Sequence, residues 1–260
     1  MKITGIVIPT NYIDGSVYAT KPRQMLRSEK VIYVEKNGVF RGMIDRTTGL
    51  QITRSKSKLT ALDIAKQPKY QTTPDDVVKH VADKMIKYDT YIIPVSDGTR
   101  PIGYVGMSDI IAILLLDNEF IAKMTIGEVM RNYPIFVNAD DSIVKLWNIM
   151  EEIKFSGVPV VKEVTSRKDR YNKLVGYVSK KDLLNAGNVR NALEGKSNPP
   201  KVEKIMNRSP ITLTKNDTVT TFVEKMIKHD ISRIPIVNEA YELEGIIGKM
   251  DVLKLLIEGT

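Results

Sequence analysis

The chain of 260 residues contains no cysteine and only two histidines, His80 and His229. Without cysteine there is no disulfide framework, no thiolate nucleophile and no cysteine-ligated zinc. Two histidines cannot by themselves form a histidine-rich metal centre. These absences exclude most metal and covalent chemistry, so we expect no metal site and no catalytic cofactor.

Long hydrophobic runs are also missing. The longest unbroken apolar run, residues 110–116, is much shorter than the roughly 20 residues that cross a bilayer. The N-terminus lacks the basic segment and apolar core of a secretory signal. We therefore expect a soluble, cytoplasmic protein without a membrane partner.

Catalytic motifs are equally scarce. The sequence has no phosphate loop of the GxxxxGK(S/T) kind and no HExxH. Its repeats would bring no Ser/His/Asp set together. Of the functional hypotheses, an enzyme is therefore the poorest.

Positive charge is what the sequence has in excess. The net charge of +8 favours an anionic partner, which can be nucleic acid, an acidic protein surface or a phosphate-bearing small molecule. The basic segments 54–58 and 162–173 are either solvated loops or docking sites for such a partner. Aromatic residues make up only 7%, and no nucleic-acid motif is recognised, so nucleic acid is the second choice.

A seven-residue sequence motif, the glycine phrase, occurs three times, at residues 103–109, 176–182 and 245–251. Each copy has a glycine, two apolar residues, a serine or glycine, and an aspartate that opens an apolar helical stretch. The aspartates are 73 and 69 residues apart, a spacing typical of a supersecondary repeat. A degenerate copy begins at Gly42 and has Thr48 in the place of the aspartate. The pattern indicates four units.

The element order predicted for each unit is β-α-β-β-α, after a short lead-in segment. In the second half the lead-ins are residues 125–130 and 201–206, and the first strands are residues 135–137 and 211–213. Amphipathic helices follow the N-caps Ser142 and Thr218. The closing hairpin carries the glycine phrase, and in the first unit it turns at Asn37-Gly38.

Four such units with the phrase Gly-h-h-(Ser/Gly)-x-x-Asp resemble CBS domains, regulatory modules that work in pairs. The plan is similar to the gamma regulatory subunit of AMP-activated protein kinase and its archaeal relatives. The resemblance implies an α+β chain of four tandem CBS domains, assembled as two CBS pairs that can form a disc. The expected boundaries are 1–58 for the degenerate first domain, then 59–118, 121–187 and 200–260.

The resemblance also implies ribose-binding residues. In CBS pairs the aspartate lies in a cleft between the modules and binds the ribose of an adenine nucleotide. This assigns Asp182, Asp251 and Asp109 to ribose, and Ser179 can add a hydroxyl group. The alternative is that an aspartate at a helix start caps its own helix.

Phosphate-binding residues follow from the same resemblance. In the gamma subunits a His-Arg pair before the proline of the second strand binds phosphate, and Ser232-Arg233 stands at that position here. Lys180 and Lys249, inside the phrases, can add positive charge. The alternative for these two lysines is a solvated position in the first helical turn.

Adenine would lie on apolar strand residues of the sister module. The residues so assigned are Ile135, Phe155, Ser156 and Ile246 for the Asp251 site, Ile211 and Ile231 for the Asp182 site, and Tyr177. The alternative assigns these residues to the core. Both can hold, because one edge of a core often forms a pocket wall.

The leading hypothesis is therefore a non-enzymatic sensor. AMP, ADP or ATP would bind in the clefts between paired CBS domains and signal the energy state to an unknown protein partner or within a homodimer. Such a switch needs a ligand that binds one arrangement better than the other. The alternative is a basic, nucleic-acid-associated CBS protein.

Overall fold

A computed structural model describes residues 1–52, 58–153, 155–165, 170–186, 192 and 198–259. The chain forms two compact units. Unit 1 comprises residues 1–110 and 180–198, and unit 2 comprises residues 111–179 and 199–260. Unit 1 holds the hairpins of the first two predicted modules, and unit 2 holds those of the third and fourth.

Strands and helices are named here in chain order. The strands are β1 (Tyr12–Asp14), β2 (Val31–Lys36), β3 (Val39–Asp45), β4 (Ile92–Ser96), β5 (Pro101–Gly106), β6 (Val137–Asn138), β7 (Gly157–Thr165), β8 (Arg170–Ser179), β9 (Arg233–Val237) and β10 (Leu243–Gly248). The helices are α1 (Thr20–Met25), α2 (Arg46–Leu50), α3 (Ala61–Ile64), α4 (Val78–Tyr88), α5 (Met107–Leu116), α6 (Glu119–Lys123), α7 (Ile126–Val129), α8 (Ile143–Glu152), α9 (Lys180–Asn185), α10 (Val219–Lys228) and α11 (Lys249–Glu258). Short 3₁₀ turns cover Ile3–Ile6 and Val202–Lys204.

Each module is built on an antiparallel hairpin. The pairs are β2 with β3, β4 with β5, β7 with β8, and β9 with β10. A first strand lies parallel to the hairpin in two sheets, where β1 pairs with β2 and β6 pairs with β7. The Asn37-Gly38 turn has positive φ at both residues, 54° and 74°, as predicted for a tight hairpin.

The predicted first strands of the third and fourth modules are largely wrong. Residues 135–137 contribute only the first residue of a strand that runs from Val137 to Asn138. In residues 211–213, Leu213 forms a single parallel bridge to Ile236. Val137 and Leu213 are buried, whereas Ile135 is 41% exposed, so the ladder begins only where the side chain enters the core.

The two predicted amphipathic helices of unit 2 are confirmed. The hydroxyl oxygens of Ser142 and Thr218 each accept a hydrogen bond from a backbone N–H three residues on, at 3.2 Å. These bonds satisfy N–H groups that the first helical turn leaves free. The face that packs on the hairpins is buried, with Leu146 in α8 and Phe222 in α10 fully covered.

The basic segment 162–173 is not the loop that the sequence suggests. β7 continues to Thr165 and β8 starts at Arg170, and these two residues pair across the hairpin. Glu163 and Arg170 form an ion pair at 2.6 Å, which keeps the pKa of the Glu163 carboxyl below its ordinary value. Residues 53–57 and 166–169, which include Arg54, Lys56, Arg167 and Lys168, lie outside the described residues.

Every module begins with a lead-in segment, a 3₁₀ turn or short helix (Ile3–Ile6, α3, α7 and Val202–Lys204) with the residues just after it, and this segment crosses the hairpin of the sister module. In unit 1, Ile8 pairs with Tyr104, and Lys66 pairs with Met43. In unit 2 the crossings are Arg131 with Ile246 and Asn207 with Tyr177. Both N–H groups donate at each of these four crossings, at 2.8 to 3.1 Å.

These crossings explain the glycine that opens each phrase. A Cβ atom added at Gly176 or Gly245 would lie 2.9 or 2.8 Å from a carbonyl oxygen of the crossing segment. At Gly42 the corresponding distance to the oxygen of Lys66 is 2.8 Å, and at Gly103 the carbonyl oxygen of Ile8 is in the way. Real Cβ atoms do not approach a backbone this closely, so glycine is required. The degenerate first module keeps this glycine, and it therefore pairs as the other three do.

A buried tyrosine also joins the two modules of unit 1. Tyr33 in β2 is fully buried, and its hydroxyl donates to the carbonyl oxygen of Gly103 at 2.7 Å. Burial raises the pKa of this phenol above its ordinary value.

Among the described residues, no helix combines the length and the apolar composition that a membrane span needs.

We predict that Gly103→Ala destabilises unit 1 by roughly 1–3 kcal/mol, because the methyl group forces the Ile8 segment away from β5. Urea unfolding followed by circular dichroism measures the change. Gly5→Ala is the matched control, since nothing lies within 4 Å of its added Cβ atom. Equal midpoints for the two variants would contradict the crossing.

Candidate functional site

The carboxylate of Asp251 lies at the start of α11, in unit 2. Its Oδ2 accepts a hydrogen bond from the backbone N–H of Gly248 at 2.9 Å, which caps the helix. The side chain is only 14% exposed. The sequence left two roles open for this aspartate, and one oxygen performs the capping role.

The other oxygen of Asp251 is bound by Arg131. The Arg131 Nε donates to Oδ1 at 2.7 Å, and Nη2 also donates to Oδ1. Arg131 follows the lead-in helix α7, and its backbone pairs with Ile246. Arg131 is not among the residues predicted from the sequence, although its place directly after the lead-in Met130, in a chain whose modules pair, was an available signal.

Arg233 brings a second guanidinium to the same part of unit 2. Its carbon Cζ lies 3.8 Å from the centre of the Phe155 ring, and its Nη1 donates to the Ser156 hydroxyl at 3.1 Å. Its aliphatic stem passes Gly248, whose added Cβ would be 3.1 Å from Cγ of Arg233 and 3.2 Å from Oδ2 of Asp251. Arg233 thus lies between Asp251 and Phe155.

This arrangement combines residues that were predicted for three parts of one ligand. Asp251 was assigned to ribose, Arg233 with Ser232 to phosphate, and Phe155 with Ser156 to adenine. The backbone oxygen of Ser232 accepts from the N–H of Lys249 at 3.0 Å, which ties the strand β9 to the start of α11. Ile135 is 41% exposed, whereas Ile246 is 3% exposed and belongs to the core of β10.

The interpretation of Lys180 and Lys249 as solvated lysines is wrong. They are 9% and 6% exposed. In unit 1 the Nζ of Lys180 donates to the Thr47 hydroxyl at 2.8 Å, where α9 packs on α2. Both lysines open a helix directly after the strand, and the equivalent Met107 of α5 is 1% exposed, so this position faces inward in all three copies. Whether Lys180 and Lys249 bind phosphate stays a prediction.

The predicted Asp182 site draws on residues that the two units hold separately. Asp182 and Lys180 belong to unit 1, and Ser179, Tyr177, Ile211 and Ile231 belong to unit 2. Tyr177 is fixed by its backbone pairing with Asn207. The ribose and adenine assignments at this site stay predictions.

Asp109 of unit 1 is turned toward the start of its own helix. Its Oδ2 lies 2.9 Å from an added Cβ on Gly106, much as Asp251 lies beside Gly248. In the degenerate copy Asp45 is the N-cap, and its Oδ1 accepts from the N–H of Thr48 at 2.8 Å. Thr48 is 4% exposed, so it replaces the aspartate with a buried side chain.

In the part of the chain that the structure describes, no three His, Cys, Asp or Glu side chains lie close enough to hold a metal ion together. The groups gathered around Asp251 are instead two guanidiniums, a carboxylate, a hydroxyl and an aromatic ring. Such groups bind organic anions through ion pairs, hydrogen bonds and stacking.

We predict that the side-chain Nε–H resonance of Arg233 is shifted upfield by the Phe155 ring and returns toward the ordinary arginine position in Phe155→Leu. Heteronuclear NMR of arginine side chains measures this shift, with Arg233→Lys identifying the signal. Ser156→Ala is the control, because it removes the hydroxyl and leaves the ring. An unchanged resonance in Phe155→Leu would show that the guanidinium does not lie over the ring in solution.

Comparison with known proteins identifies the repeats. The family model of the CBS domain matches residues 63–116, 126–188 and 202–258, which is more than half of the chain. The first 62 residues are not part of these matches.

Two relatives are similar to part of this chain. The uncharacterized protein MJ1232 of Methanocaldococcus jannaschii is 28% identical over 58% of this chain and 47% of its own length. The inosine-5'-monophosphate dehydrogenase of the same organism is 31% identical over 49% of this chain and 22% of its own length. The chain thus matches less than half of either relative.

Among solved structures, that of protein MJ1225 from Methanocaldococcus jannaschii, described as a proposed archaeal homologue of g-AMPK, is similar in fold. It superposes with a TM-score of 0.81 over 98% of this chain and 99% of that chain, at 17% identity. At this identity the likeness concerns the fold, and it extends over the first module, which the family model does not match.

Proposed function

Because this chain belongs to the CBS domain family, we propose that it is a non-enzymatic regulatory protein that binds an adenine nucleotide, AMP, ADP or ATP, in unit 2. CBS-domain proteins are generally regulatory, which supports this class of function. The observation that carries the proposal is the convergence of Asp251, Arg233, Ser156 and Phe155 on the sister modules of one unit.

The chemistry of these groups fits the parts of a nucleotide. Asp251 offers carboxylate oxygens, which accept hydrogen bonds from the two hydroxyls of a ribose. Arg233 and Arg131 supply guanidiniums, which bind phosphate oxygens in a bidentate manner. Phe155 supplies an aromatic surface. The choice of adenine rests on the resemblance of the Gly-h-h-(Ser/Gly)-x-x-Asp phrase to that of nucleotide-binding CBS pairs.

Binding has to rearrange Arg233. Its guanidinium covers one face of the Phe155 ring and bonds to Ser156. An adenine that stacks on this face would displace the guanidinium, and a phosphate group on the same ligand would offer it a new partner. Since Arg233 is in β9 and Phe155 precedes β7, a nucleotide would connect the hairpins of the third and fourth modules. This connection is how a bound ligand would change what a partner protein recognises.

We predict that wild-type protein binds AMP, ADP or ATP in isothermal titration calorimetry and that Asp251→Ala weakens this binding at least tenfold. The variant loses the ribose acceptor, and hydrogen bonds to a charged group contribute about 1.5–3 kcal/mol.

Asp217→Ala is the matched control for lost local structure. The Oδ2 of Asp217 accepts from the backbone N–H of Thr214 at 2.7 Å, in the same unit and in a similar local bond, but outside the proposed site. We expect it to bind nucleotide like the wild type. Unchanged nucleotide affinity in Asp251→Ala would refute the site, and absence of binding in the wild type would refute the function.

A further inference from the structure

Arg131 reaches from the third module to the aspartate of the fourth. Its backbone N–H donates to Ile246 O at 2.9 Å, and Ile246 N–H donates back to Arg131 O at 3.1 Å. These two bonds fix its Cα beside β10, and the guanidinium then reaches Oδ1 of Asp251 at 2.7 Å from Nε. The ion pair is therefore anchored by the crossing of the lead-in segment and does not depend on two free surface side chains meeting.

This ion pair occupies the oxygen that a ribose would need. Oδ2 of Asp251 already accepts from the Gly248 N–H, and Oδ1 holds the guanidinium. The Asp251 side chain is 14% exposed and the Arg131 side chain is 54% exposed, so Arg131 is the more accessible member of the pair. A ribose that binds both carboxylate oxygens has to displace Arg131 from Oδ1.

The charges in the site determine which ligands can displace Arg131 from Asp251. In the free protein Asp251 neutralises Arg131. When ribose hydroxyls take over Oδ1, Arg131 loses its counter-ion, and Arg233 is already a second cation nearby. A nucleotide brings a phosphate anion that replaces the lost partner, whereas a nucleoside brings none. The Arg131 side chain is 54% exposed, and the side-chain bonds given for it all go to Oδ1 of Asp251, so its guanidinium can exchange this carboxylate for a phosphate while the backbone stays paired with Ile246.

We propose that Arg131 determines specificity at this site: it holds Asp251 in the free protein and transfers to the ligand phosphate on binding, so that the site rejects unphosphorylated nucleosides. The inference rests on the proposed function of unit 2. It adds a role for a residue outside the repeated phrase, and it makes the affinity ratio between a nucleotide and its nucleoside the property to measure.

The test compares AMP with adenosine by calorimetry at one salt concentration, in wild type and Arg131→Ala. We expect adenosine to bind about threefold more tightly to the variant, because no ion pair has to be broken. We expect AMP to bind about tenfold more weakly, because one charge-assisted contact to phosphate is lost. The preference for AMP over adenosine should thus fall roughly thirtyfold.

Lys215→Ala is the matched control. Lys215 forms an ion pair with Glu244 at 2.7 Å in the same unit, with side-chain exposures of 48% and 23% that resemble those of the Arg131 pair. Its removal should leave the AMP-to-adenosine ratio unchanged. Urea unfolding of both variants shows whether they fold, and Arg131→Lys, which keeps the charge without the guanidinium fork, should retain part of the preference.

The outcomes separate the two proposals. If wild type and Arg131→Ala both bind AMP and prefer it over adenosine to the same degree, the role of Arg131 is refuted while nucleotide binding stands. A purely structural Arg131 would weaken AMP and adenosine alike, which also refutes it. If wild type binds neither ligand, the proposed function fails, and this inference falls with it.

Discussion

The pairing of each lead-in segment with the hairpin of its sister module is the interaction on which the rest depends. Four antiparallel crossings, two in each unit, exchange backbone hydrogen bonds at 2.8 to 3.1 Å. They bring the backbone so close to the second hairpin strand that only glycine fits there. In a single module the backbone N–H and C=O groups of the lead-in segment and of the hairpin strand beside the glycine would therefore lack these partners. The pair of modules is the folding unit that these bonds define.

The same crossing assembles the candidate site. The segment that carries Arg131 pairs with Ile246, and two residues after Ile246 the strand ends at Gly248, where α11 and Asp251 begin. Arg233 faces Gly248 across the hairpin in register. The residues proposed to bind phosphate and ribose are thus gathered around one glycine, Gly248, by the fold. The glycine that opens the phrase, Gly245, accommodates the crossing segment, and the aspartate that ends it, Asp251, caps α11 and binds Arg131.

Local patterns in the sequence predicted the elements that local physics controls. The Asn37-Gly38 turn, the caps Ser142 and Thr218 and the apolar faces of α8 and α10 were all predicted correctly, because turn geometry and helical periodicity are decided within a few residues. The strands at residues 135–137 and 211–213 were overestimated, since an apolar run does not show how much of it pairs. The burial of Lys180 and Lys249 was missed for a related reason: a lysine in a first helical turn reads as solvated until neighbouring elements cover it.

By itself the sequence determined the repeat, its glycine and aspartate positions, and the family that they indicate, because these follow from residue types at fixed spacing. Only the tertiary structure decided what the glycine accommodates and what Asp251 binds. Arg131 and Asp251 are 120 residues apart along the chain, and their ion pair exists because backbone pairing between sister modules places them together. Periodicity states which face of an element is apolar, but it does not state which distant charge will meet a given carboxylate.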